Sequence, residues 1–554
     1  MFKKINKKIT KFLNEESKFN KKDLITIAII VLLYTLLSFY KLGSNISPNT
    51  FERFNTNDKL IIELKEPDDV IQLKIFSGEQ NSKYHLYLSN DNIEYDYYGE
   101  VEGRGAFSWD IIKPKMKAKY IMLEFTENST LGELALYNNS KEKIKIEKIT
   151  SSDKTIKKLS DEQDTIPNKI SYMNTSYFDE VYFARTAYEY KENIPTYEWT
   201  HPPLGKLIQA IPLFITDHLS PFNYRLMGNL SGIMMIIIMY LFVKELFKKR
   251  KYSIFASLLM FFDTFHFVQT RMGTVDSHLV LFMMISTLTM IKYCNNKKLY
   301  NLLLSGIFFG LAVCVKWTGF YCGLGLAIIY FTYMLKNKEF NLKHILCGTG
   351  FFIVIPLIFY IGIYLLFPNN NLNYTDNIGS IIKQQEAMYN YHSKLEADHP
   401  FSSEWYTWPL SGKPVWYHLV DLEDNTRETI SGIGNIVIWW MGIVAMLYLL
   451  PKVFLKKDKN SFYLLIMILS LWLPYVFIGR IMFMYHYFPV TPFMMLAIVS
   501  FFKDLEDKFK LKYLIPIYMV FVILFFIIYY PVITGNVVSV DYLEKIQLFE
   551  SWYF

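Results

Sequence analysis

Two short motifs, FDEVYFAR (178–185) and HPPLGK (201–206), lie in a long polar segment between the first apolar run of the chain, 24–40, and the second, 225–243. They bring an acidic pair, a histidine, a lysine and a rigid Pro-Pro turn together just before the chain becomes apolar again. Runs of about 20 apolar residues are long enough to cross a bilayer as helices. The two motifs are therefore expected in a loop between membrane spans, and the spans around them decide the fold.

The composition is typical of a membrane protein with many spans. Of the 554 residues 52% are hydrophobic and 17% aromatic, yet 20% are charged, so apolar blocks must alternate with polar ones. The net charge of +7 does not indicate nucleic-acid binding, because the lysines lie in short loops between apolar runs. The four cysteines lie in or beside apolar runs, which argues against a disulfide framework. No small-residue cleavage site follows 24–40, so this run is expected to remain as the first span.

Eleven apolar runs have the length of a membrane-spanning helix. The loops between them test this count, because short loops rich in Lys and Arg stay on the cytoplasmic side. Every lysine-rich short loop falls on the side of the N-terminus, so we expect a cytoplasmic N-terminus and an extracellular C-terminus. The predicted spans are 24–40, 225–243, 253–270, 274–293, 299–316, 319–335, 345–367, 433–450, 461–479, 482–502 and 513–534.

The first outer segment is too long for a simple loop. Residues 45–150 carry alternating apolar and polar residues, as in LIIELK (60–65), KYHLYLSND (83–91) and KYIMLEF (119–125), which predict the short strands of a β-sandwich. These runs, with LGELALY (131–137), resemble a discoidin-like (galactose-binding-like) jelly roll, and the resemblance implies a glycan or acceptor ligand. A spacer or packing domain with no ligand is the alternative. The lysine-rich stretch 141–165 is expected to be flexible.

The acidic pair Asp179 and Glu180 can supply one reacting group. Adjacent side chains diverge by about 100° on a helix and about 180° on a strand, so the two carboxylates cannot flank one glycosidic bond as those of a hydrolase do. Only one is expected to reach the reacting atom, where a carboxylate can take the proton of an incoming hydroxyl. The alternative is an ordinary acidic pair at a helix start.

Cationic residues near the same side of the membrane can bind an anion. His201 and Lys206 flank Pro202-Pro203, which opens an amphipathic helix whose N-terminus favours an anionic headgroup; a lysine snorkelling to the interface is the alternative. Charges at a membrane boundary are costly, so Arg271 and Asp276 are functional candidates. They form either a structural ion pair or a phosphate contact through the guanidinium.

Further cationic and aromatic groups are expected on the same outer rim. The long loop 368–432 is dense in aromatic residues and is predicted to form a partly buried interfacial platform. An outward site with cations, a carboxylate and aromatic walls suits a lipid-phosphate-linked sugar donor. There is no Walker loop, no GxGxxG and no Cys/His cluster at metal-ligand spacing, so no metal site is predicted. The rim residues are Lys316, Trp317, Arg480, Tyr485, His486 and Tyr487, and the platform residues are Tyr391, His399, Trp405 and Trp408.

Seven blocks of the sequence resemble, in order, those of the protein O-mannosyltransferases. The resemblance implies a polytopic α-helical GT-C fold with eleven spans, and an enzyme that moves mannose with inversion from polyprenyl-phosphate mannose to Ser or Thr hydroxyls of exported proteins. It implies that Asp179 and Glu180 are the catalytic pair, with Asp179 as the base. It also implies a donor-phosphate contact for Arg271, around which we expect Lys206, His201, Arg480 and His486. The blocks are FDEVYFA, HPPLGK, FDTFHFVQTRMGTVD, VKWTGF (315–320), EAMYNYHSKLEADHPFSSEWYTWPL, GKPVWYH and YHYFPVTP.

Two departures from the family pattern leave the substrates open. The outer loop has no room for the β-trefoil MIR domain of eukaryotic members, so the chain resembles the bacterial type, and the inserted β-domain leaves the acceptor undecided. The donor sugar is also open, because the matching motifs read the lipid phosphate and the loop geometry, not the hydroxyl pattern of the sugar. The alternatives are a related GT-C transferase that modifies a cell-envelope glycan or lipid, and a transporter of lipid-linked sugars, against which the lack of two repeated halves argues. The expected partners are the lipid-phosphate sugar donor, secreted or membrane protein acceptors and membrane lipids; any need for a divalent metal is left open.

These expectations divide the chain into six segments. They are 1–44, the cytoplasmic N-terminus and first span; 45–150, the extracellular β-domain; 151–224, the catalytic first-loop segment; 225–367, spans two to seven; 368–432, the extracellular aromatic loop; and 433–554, spans eight to eleven with the extracellular C-terminus.

Overall fold

The computed structural model describes residues 12, 13, 15, 18–367 and 378–554, and the chain forms two compact units. One comprises Lys41–Tyr197 and Gln209–Leu226 and is called the β-unit here. The other comprises Met1–Tyr40, Glu198–Ile208 and Met227–Phe554 and is called the helical unit.

The β-unit contains ten strands in two antiparallel sheets, with the orders β1-β8-β3-β6 and β10-β9-β2-β7-β4-β5. In β2 the alternate residues Leu60, Ile62 and Leu64 are buried, which is the half-buried pattern that the sequence predicts. The predicted β-sandwich is confirmed. The strands are β1 Glu52–Phe54, β2 Lys59–Val70, β3 Gln72–Ser77, β4 Lys83–Ser89, β5 Asp96–Glu102, β6 Ser108–Ile112, β7 Met116–Phe125, β8 Ser129–Tyr137, β9 Ile146–Ser151 and β10 Lys154–Thr155.

The stretch 141–165 is not simply a flexible connector, and that prediction is wrong. β9 pairs with β2 in register, for example Ile62 with Ile149. Ile149 is buried in the core of the unit, and Ile146 packs against the same core. The stretch contains many lysines, but these two isoleucines among them pack into the core and hold the strand in place.

The helical unit accounts for most of the predicted spans. Among the described residues nine helices are long and apolar enough to cross a membrane. The predicted span 299–316 is a shorter apolar helix of 17 residues, and 253–270 is broken into two helices at Phe262-Asp263. The buried Asp263 causes this break, because its carboxylate caps the second helix at His266 N and also accepts hydrogen bonds from Asn435 N and Trp439 Nε1.

The helices of the described chain before the outer loop are α1 Lys21–Phe39, α2 Glu180–Glu192, α3 Leu204–Thr216, α4 Pro221–Phe247, α5 Arg250–Phe261, α6 Thr264–Thr270, α7 Asp276–Asn296, α8 Leu299–Val315, α9 Gly319–Lys336 and α10 Leu342–Leu366, the last with a π-helical turn at Gly350–Val354. Those after it are α12 Ile436–Phe454, α13 Lys459–Trp472, α14 Thr491–Phe509, α15 Leu514–Thr534 and α16 Val540–Ile546.

The aromatic loop 368–432 is largely regular structure where it is described. It forms the helix α11 Ile378–Lys394, a 3₁₀ turn at Trp405–Leu410 and the hairpin strands β11 Val415–Leu422 and β12 Thr426–Gly432. The strand β13 Val537–Ser539 completes a three-stranded antiparallel sheet with this hairpin. Residues 368–377 lie outside the described residues. The described part of the loop is therefore structured, as its aromatic density predicts.

Candidate active site

The acidic pair lies at the start of α2 in the β-unit. Asp179 is the N-cap residue and is half-buried, whereas Glu180 begins the helix and is fully buried. Phe178, immediately before the pair, has a left-handed backbone with φ of 51°, which is unusual for a bulky residue. The backbone therefore enters the helix through a sharp turn, and the two carboxylates have different surroundings, as their adjacency predicts.

Glu180 forms a buried, bidentate ion pair with Arg225. Nε of Arg225 lies 2.7 Å from Oε1 and Nη2 lies 2.7 Å from Oε2 of Glu180. The remaining N–H groups of Arg225 donate to the carbonyl oxygens of Leu42, Tyr172 and Thr175 at 2.9–3.1 Å. All five guanidinium donors are thus used. Glu180 is therefore fully engaged by Arg225, and the catalytic role expected for Asp179 stays a prediction.

Arg225 was not among the sequence candidates. The sequence signal for it is an arginine at the fifth position of the apolar helix α4, where an unpaired charge would be costly. The sequence does not indicate its partner, because Glu180 lies 45 residues away.

The HPPLGK turn in the helical unit is built around a buried lysine. Nζ of Lys206 donates to Glu198 O at 2.6 Å, to Glu198 Oε2 at 2.6 Å and to His201 O at 2.9 Å. An ammonium group has three N–H donors, so none is left for a phosphate. The lysine therefore fastens the turn to Glu198, and a contact of Lys206 with the donor phosphate stays a prediction.

Glu198 and His201 form a second contact within this turn. Oε1 of Glu198 lies 2.9 Å from His201 Nδ1 and also accepts from Thr200 N. Burial alone would raise the pKa of Glu198, but the charges of Lys206 and His201 outweigh it and hold this pKa well below its usual range. Burial lowers the pKa of His201, against the opposing effect of Glu198. Glu198 was not among the sequence candidates either.

The outer-loop helix α11 contacts the same turn. His392 Nε2 lies 2.8 Å from Thr200 O, and Gln384 Nε2 donates to Trp199 O at 2.9 Å. Tyr391, a predicted platform residue, packs edge-on against Trp199. Burial lowers the pKa of His392 to about 4, and the nearby charges of Arg480 and Lys316 act in the same direction. Cationic groups from two distant parts of the sequence, Lys316 and Arg480, therefore lie near His392.

These two cationic groups differ in whether they already have an ion-pair partner. Lys316 donates to Asp276 Oδ1 at 2.8 Å, so the ion pair of Asp276 is with Lys316, not with Arg271 as one of the alternatives proposed. Arg480 is half-buried, and within the described part of the chain its guanidinium makes no hydrogen bond or ion pair. Arg480 is therefore available for an anionic ligand.

Arg271 is nearly buried at the end of α6. Nη2 donates to Tyr40 O at 2.8 Å, and the guanidinium lies over the ring of Phe267 at 4.9 Å. These contacts hold its side chain against the end of α1.

The predicted platform residues occupy the outer loop and its neighbours. Trp408 is buried and stacks on His486 at 5.9 Å between ring centroids. Trp405 is half-buried, and its carbonyl oxygen accepts from Trp472 Nε1. His399 is exposed, with its ring 5.1 Å from that of Phe483. The stack of Trp408 and His486 brings one platform residue and one rim residue together.

Comparison with known families decides the assignment. The model described as "Dolichyl-phosphate-mannose-protein mannosyltransferase" matches residues 165–367, and that described as "C-terminal four TMM region of protein-O-mannosyltransferase" matches residues 378–552. Together they match well over half of the chain. The chain belongs to the protein O-mannosyltransferase family. It is accordingly a multi-pass membrane enzyme, and the strands β1–β10 precede both of the matched regions.

Relatives of this O-mannosyltransferase include bacterial proteins. It is 22% identical over 430 residues to a polyprenol-phosphate-mannose–protein mannosyltransferase of Corynebacterium glutamicum, which is 64% of this chain and 81% of the relative. It is 23% identical over 441 residues to one of Mycolicibacterium smegmatis, which is 66% of this chain and 85% of the relative.

A solved structure shows that the O-mannosyltransferase has the predicted GT-C fold. The S. cerevisiae protein O-mannosyltransferase Pmt1-Pmt2 complex bound to the sugar donor matches 68% of this chain and 89% of the solved chain, with a TM-score of 0.60 and 13% identity.

Proposed function

We propose that this protein transfers mannose, with inversion, from polyprenyl-phosphate mannose to Ser or Thr hydroxyls of exported proteins on the outer face of the membrane. Family membership and the names of the bacterial relatives support the donor and the acceptor class. The observation that carries the catalytic assignment is the buried pair of Glu180 with Arg225, since it separates the roles of the two adjacent carboxylates.

In the proposed reaction Asp179 is the general base. It accepts the proton of the acceptor hydroxyl while that oxygen bonds to C1 of mannose and the bond from C1 to the phosphate oxygen breaks. The bonding electrons leave with the phosphate, and the proton remains on Asp179. A single displacement of this kind inverts the anomeric centre, and a positioned base contributes about 10²–10⁴-fold to such a step.

The proposed phosphate contacts are Arg480 and, second to it, Arg271. Arg480 leads because its planar guanidinium is not engaged by other described side chains and matches a phosphate geometrically. The charges of Lys316 and Arg480 near His392 favour an anion at this place. His201 and His486 are proposed to complete the surroundings of the donor, and Lys206 supports them indirectly by holding the turn.

The aromatic platform is proposed to bind the sugar and the acceptor. Buried Trp408 stacks on the half-buried ring of His486 and holds it in place, and the exposed part of the His486 ring is proposed to pack against a sugar face. Tyr391, Trp405 and His399 are proposed to contact the acceptor chain, because Tyr391 and His399 are exposed on the outer loop.

For the β-unit we propose a glycan ligand, as its jelly-roll resemblance implies. Exposed tyrosines on β5 support this proposal. Tyr97 is 57% exposed, and its ring lies 5.6 Å from that of His85 and 5.3 Å from that of Tyr87.

The proposed topology has a cytoplasmic N-terminus and an extracellular C-terminus. Lysine-rich short loops support it, because all of them fall on the side of the N-terminus when the spans are counted from α1. Cysteine labelling of single-cysteine variants on intact cells tests it: Asn296 should react only after permeabilisation, and His399 before it.

The experiment that tests the function uses membranes that carry the protein, polyprenyl-phosphate mannose and a Ser/Thr-rich peptide. We expect the peptide to gain one hexose per modified hydroxyl, as read by mass spectrometry. Modification of a cell-envelope glycan or lipid but of no peptide would instead establish the related GT-C transferase. Movement of the donor across liposomes without any transfer would establish a transporter.

A further inference from the structure

The loop between β5 and β6 supports the acidic pair within the β-unit. Phe107 O accepts from Ser176 N at 3.1 Å, and Trp109 N donates to Thr175 Oγ1 at 3.1 Å. A Cβ on Gly105 would lie 2.8 Å from Cγ1 of Val181, the residue after Glu180, so this glycine allows a close approach. Residues 103–110 therefore form a brace behind the segment that carries Asp179.

Three side-chain oxygens converge at the base of this brace. A Cβ on Gly103 would lie 2.7 Å from Asn81 Oδ1, 2.8 Å from Ser82 Oγ and 3.0 Å from Asp110 Oδ2. The strands position them, because Gly103 N donates to Ser82 O at the end of the β4–β5 pair while Asp110 lies on β6 in the other sheet. The missing side chain of Gly103 leaves a cradle that is lined with oxygens.

Two of the three oxygens of this cradle make no hydrogen bond among the described residues, whereas Ser82 Oγ lies 2.7 Å from Ser77 Oγ. Asp110 is only 6% exposed, and neither its Oδ2 nor Asn81 Oδ1 makes a hydrogen bond among the described residues. The other carboxylate oxygen of Asp110 accepts from Arg104 N at 3.2 Å and lies 3.9 Å from Nε of the exposed Arg104 side chain, a weak ion pair that leaves Oδ2 unmatched. A buried carboxylate oxygen without a donor is costly, so it favours a ligand that supplies positive charge.

We propose that Asn81, Ser82 and Asp110 bind a divalent, oxygen-preferring cation, for which Ca²⁺ is the probe. Carboxylate, amide and hydroxyl oxygens are ligands of this class, and water completes its coordination shell. Asn81 and Gly103 are half-exposed, so the cation and its waters reach the cradle from solvent.

A second acidic cluster in the same unit does not share this property. The carboxylate oxygens of Glu133, Asp161 and Glu162 lie within 4.8 Å of one another. N–H groups already bind them, however: Glu162 N donates to Glu133 Oε2 at 2.6 Å, and the backbone of Asn49 and Thr50 donates to Glu162 Oε2. Because oxygens of this cluster already have N–H donors, it is a matched control.

Cation binding at the cradle would link both sheets at the root of the brace. It would fix the ends of β4 and β6 together and thereby stiffen residues 103–110 behind Thr175 and Ser176. We therefore expect the bound cation to stabilise the β-unit.

The test measures ⁴⁵Ca²⁺ binding to, and thermal unfolding of, the full-length protein in detergent. We expect one site with a Kd of about 10⁻⁴–10⁻³ M, as in extracellular modules, and a rise in the melting temperature of about 2–4 °C at 10 mM Ca²⁺ over matched NaCl. Asp110→Asn, which keeps the shape of the side chain, and Gly103→Ala, which fills the cradle, should both lose this binding.

Asp161→Asn in the acidic cluster is the control and should keep both the binding and the shift. Absence of a Ca²⁺ site in the wild-type protein, or unchanged binding in Asp110→Asn and Gly103→Ala, overturns the proposal. Loss of binding in Asp161→Asn but not in Asp110→Asn would also overturn it. None of these readouts depends on glycosyl transfer, so they remain informative whatever the enzymatic activity.

Discussion

Glu180 and Arg225 are joined by two parallel hydrogen bonds of 2.7 Å in the interior of the β-unit, and neither side chain is exposed to solvent. Such fork-to-fork pairs of arginine and carboxylate are both strong and directional. The pair holds Glu180 away from solvent and orients the first turn of α2. It gives Glu180 a structural role, whereas the proposed chemical role falls to Asp179.

Asp179→Asn should abolish most of the transfer of mannose. The amide cannot accept the hydroxyl proton, so we expect the rate to fall by about 10²–10⁴-fold. Transfer to a Ser/Thr peptide by purified membranes measures this loss. Glu192→Gln at the exposed end of the same helix is the matched control and should keep full activity. Near wild-type transfer by Asp179→Asn would remove Asp179 from the mechanism.

Glu180→Gln should lower the stability of the folded protein, not only the rate of mannose transfer. Breaking a buried ion pair leaves the Arg225 charge uncompensated and costs about 3–5 kcal/mol. Thermal unfolding and limited proteolysis in detergent measure this loss. Lys191→Met removes a far more exposed ion pair with Asp217, so it should change stability by less than about 1 kcal/mol. Equal stability of the two variants would contradict the structural role of Glu180.

Arg480→Ala should weaken donor binding without loss of folding. Removing a charged hydrogen bond to phosphate is expected to raise the KM for polyprenyl-phosphate mannose about 10–100-fold. The KM for the acceptor peptide and the melting temperature should stay near their wild-type values. Lys394→Ala, at the exposed end of α11, serves as the control for a general loss of positive charge. An unchanged donor KM would exclude Arg480 from the phosphate site.

Lys206→Met should unfold the HPPLGK turn. It leaves the buried carboxylate of Glu198 without its main counter-charge, which costs about 3–5 kcal/mol. The double variant Glu198→Gln with Lys206→Met removes both charges and should recover part of the stability. Denaturant unfolding in detergent gives both values. If Lys206→Met changed only the donor KM, the lysine would be a phosphate contact after all.

Stability should fall as the pH drops below the ordinary pKa of histidine, partly because of His392. Burial and nearby cations lower its folded pKa from 6.5 to about 4, so between these values the unfolded chain binds the proton and the folded chain does not. This effect is absent above about pH 6.5 and grows as the pH falls to 4. Melting temperatures at pH 7.5 and pH 5 should differ less in His392→Gln than in the wild type. An identical pH dependence in both proteins would contradict the lowered pKa.

Much of the architecture follows from local patterns in the sequence. The positions of the spans follow from the length of the apolar runs. The strands of the β-unit follow from the alternation of apolar and polar residues within β2, β4 and β7, which is visible in the local sequence. The order of the motifs similarly identified the family. Segments with weak local signals are predicted less well. The strand β9 lies in a lysine-rich stretch that does not resemble a strand, and Asp263 ends a helix within a run that is predicted as one span.

The partners of the charged residues were decided by the tertiary structure alone. Glu180 pairs with Arg225, and Asp276 pairs with Lys316. All three N–H donors of Lys206 bind Glu198 and His201. Side chains of these types can also bind ligands, so residue type alone does not reveal these partners. The sequence shows that a charged residue is present and that burying it without a partner would cost free energy. Which charges remain available for a substrate depends on distances of about 3 Å between groups far apart in the chain, and only the folded arrangement determines those distances.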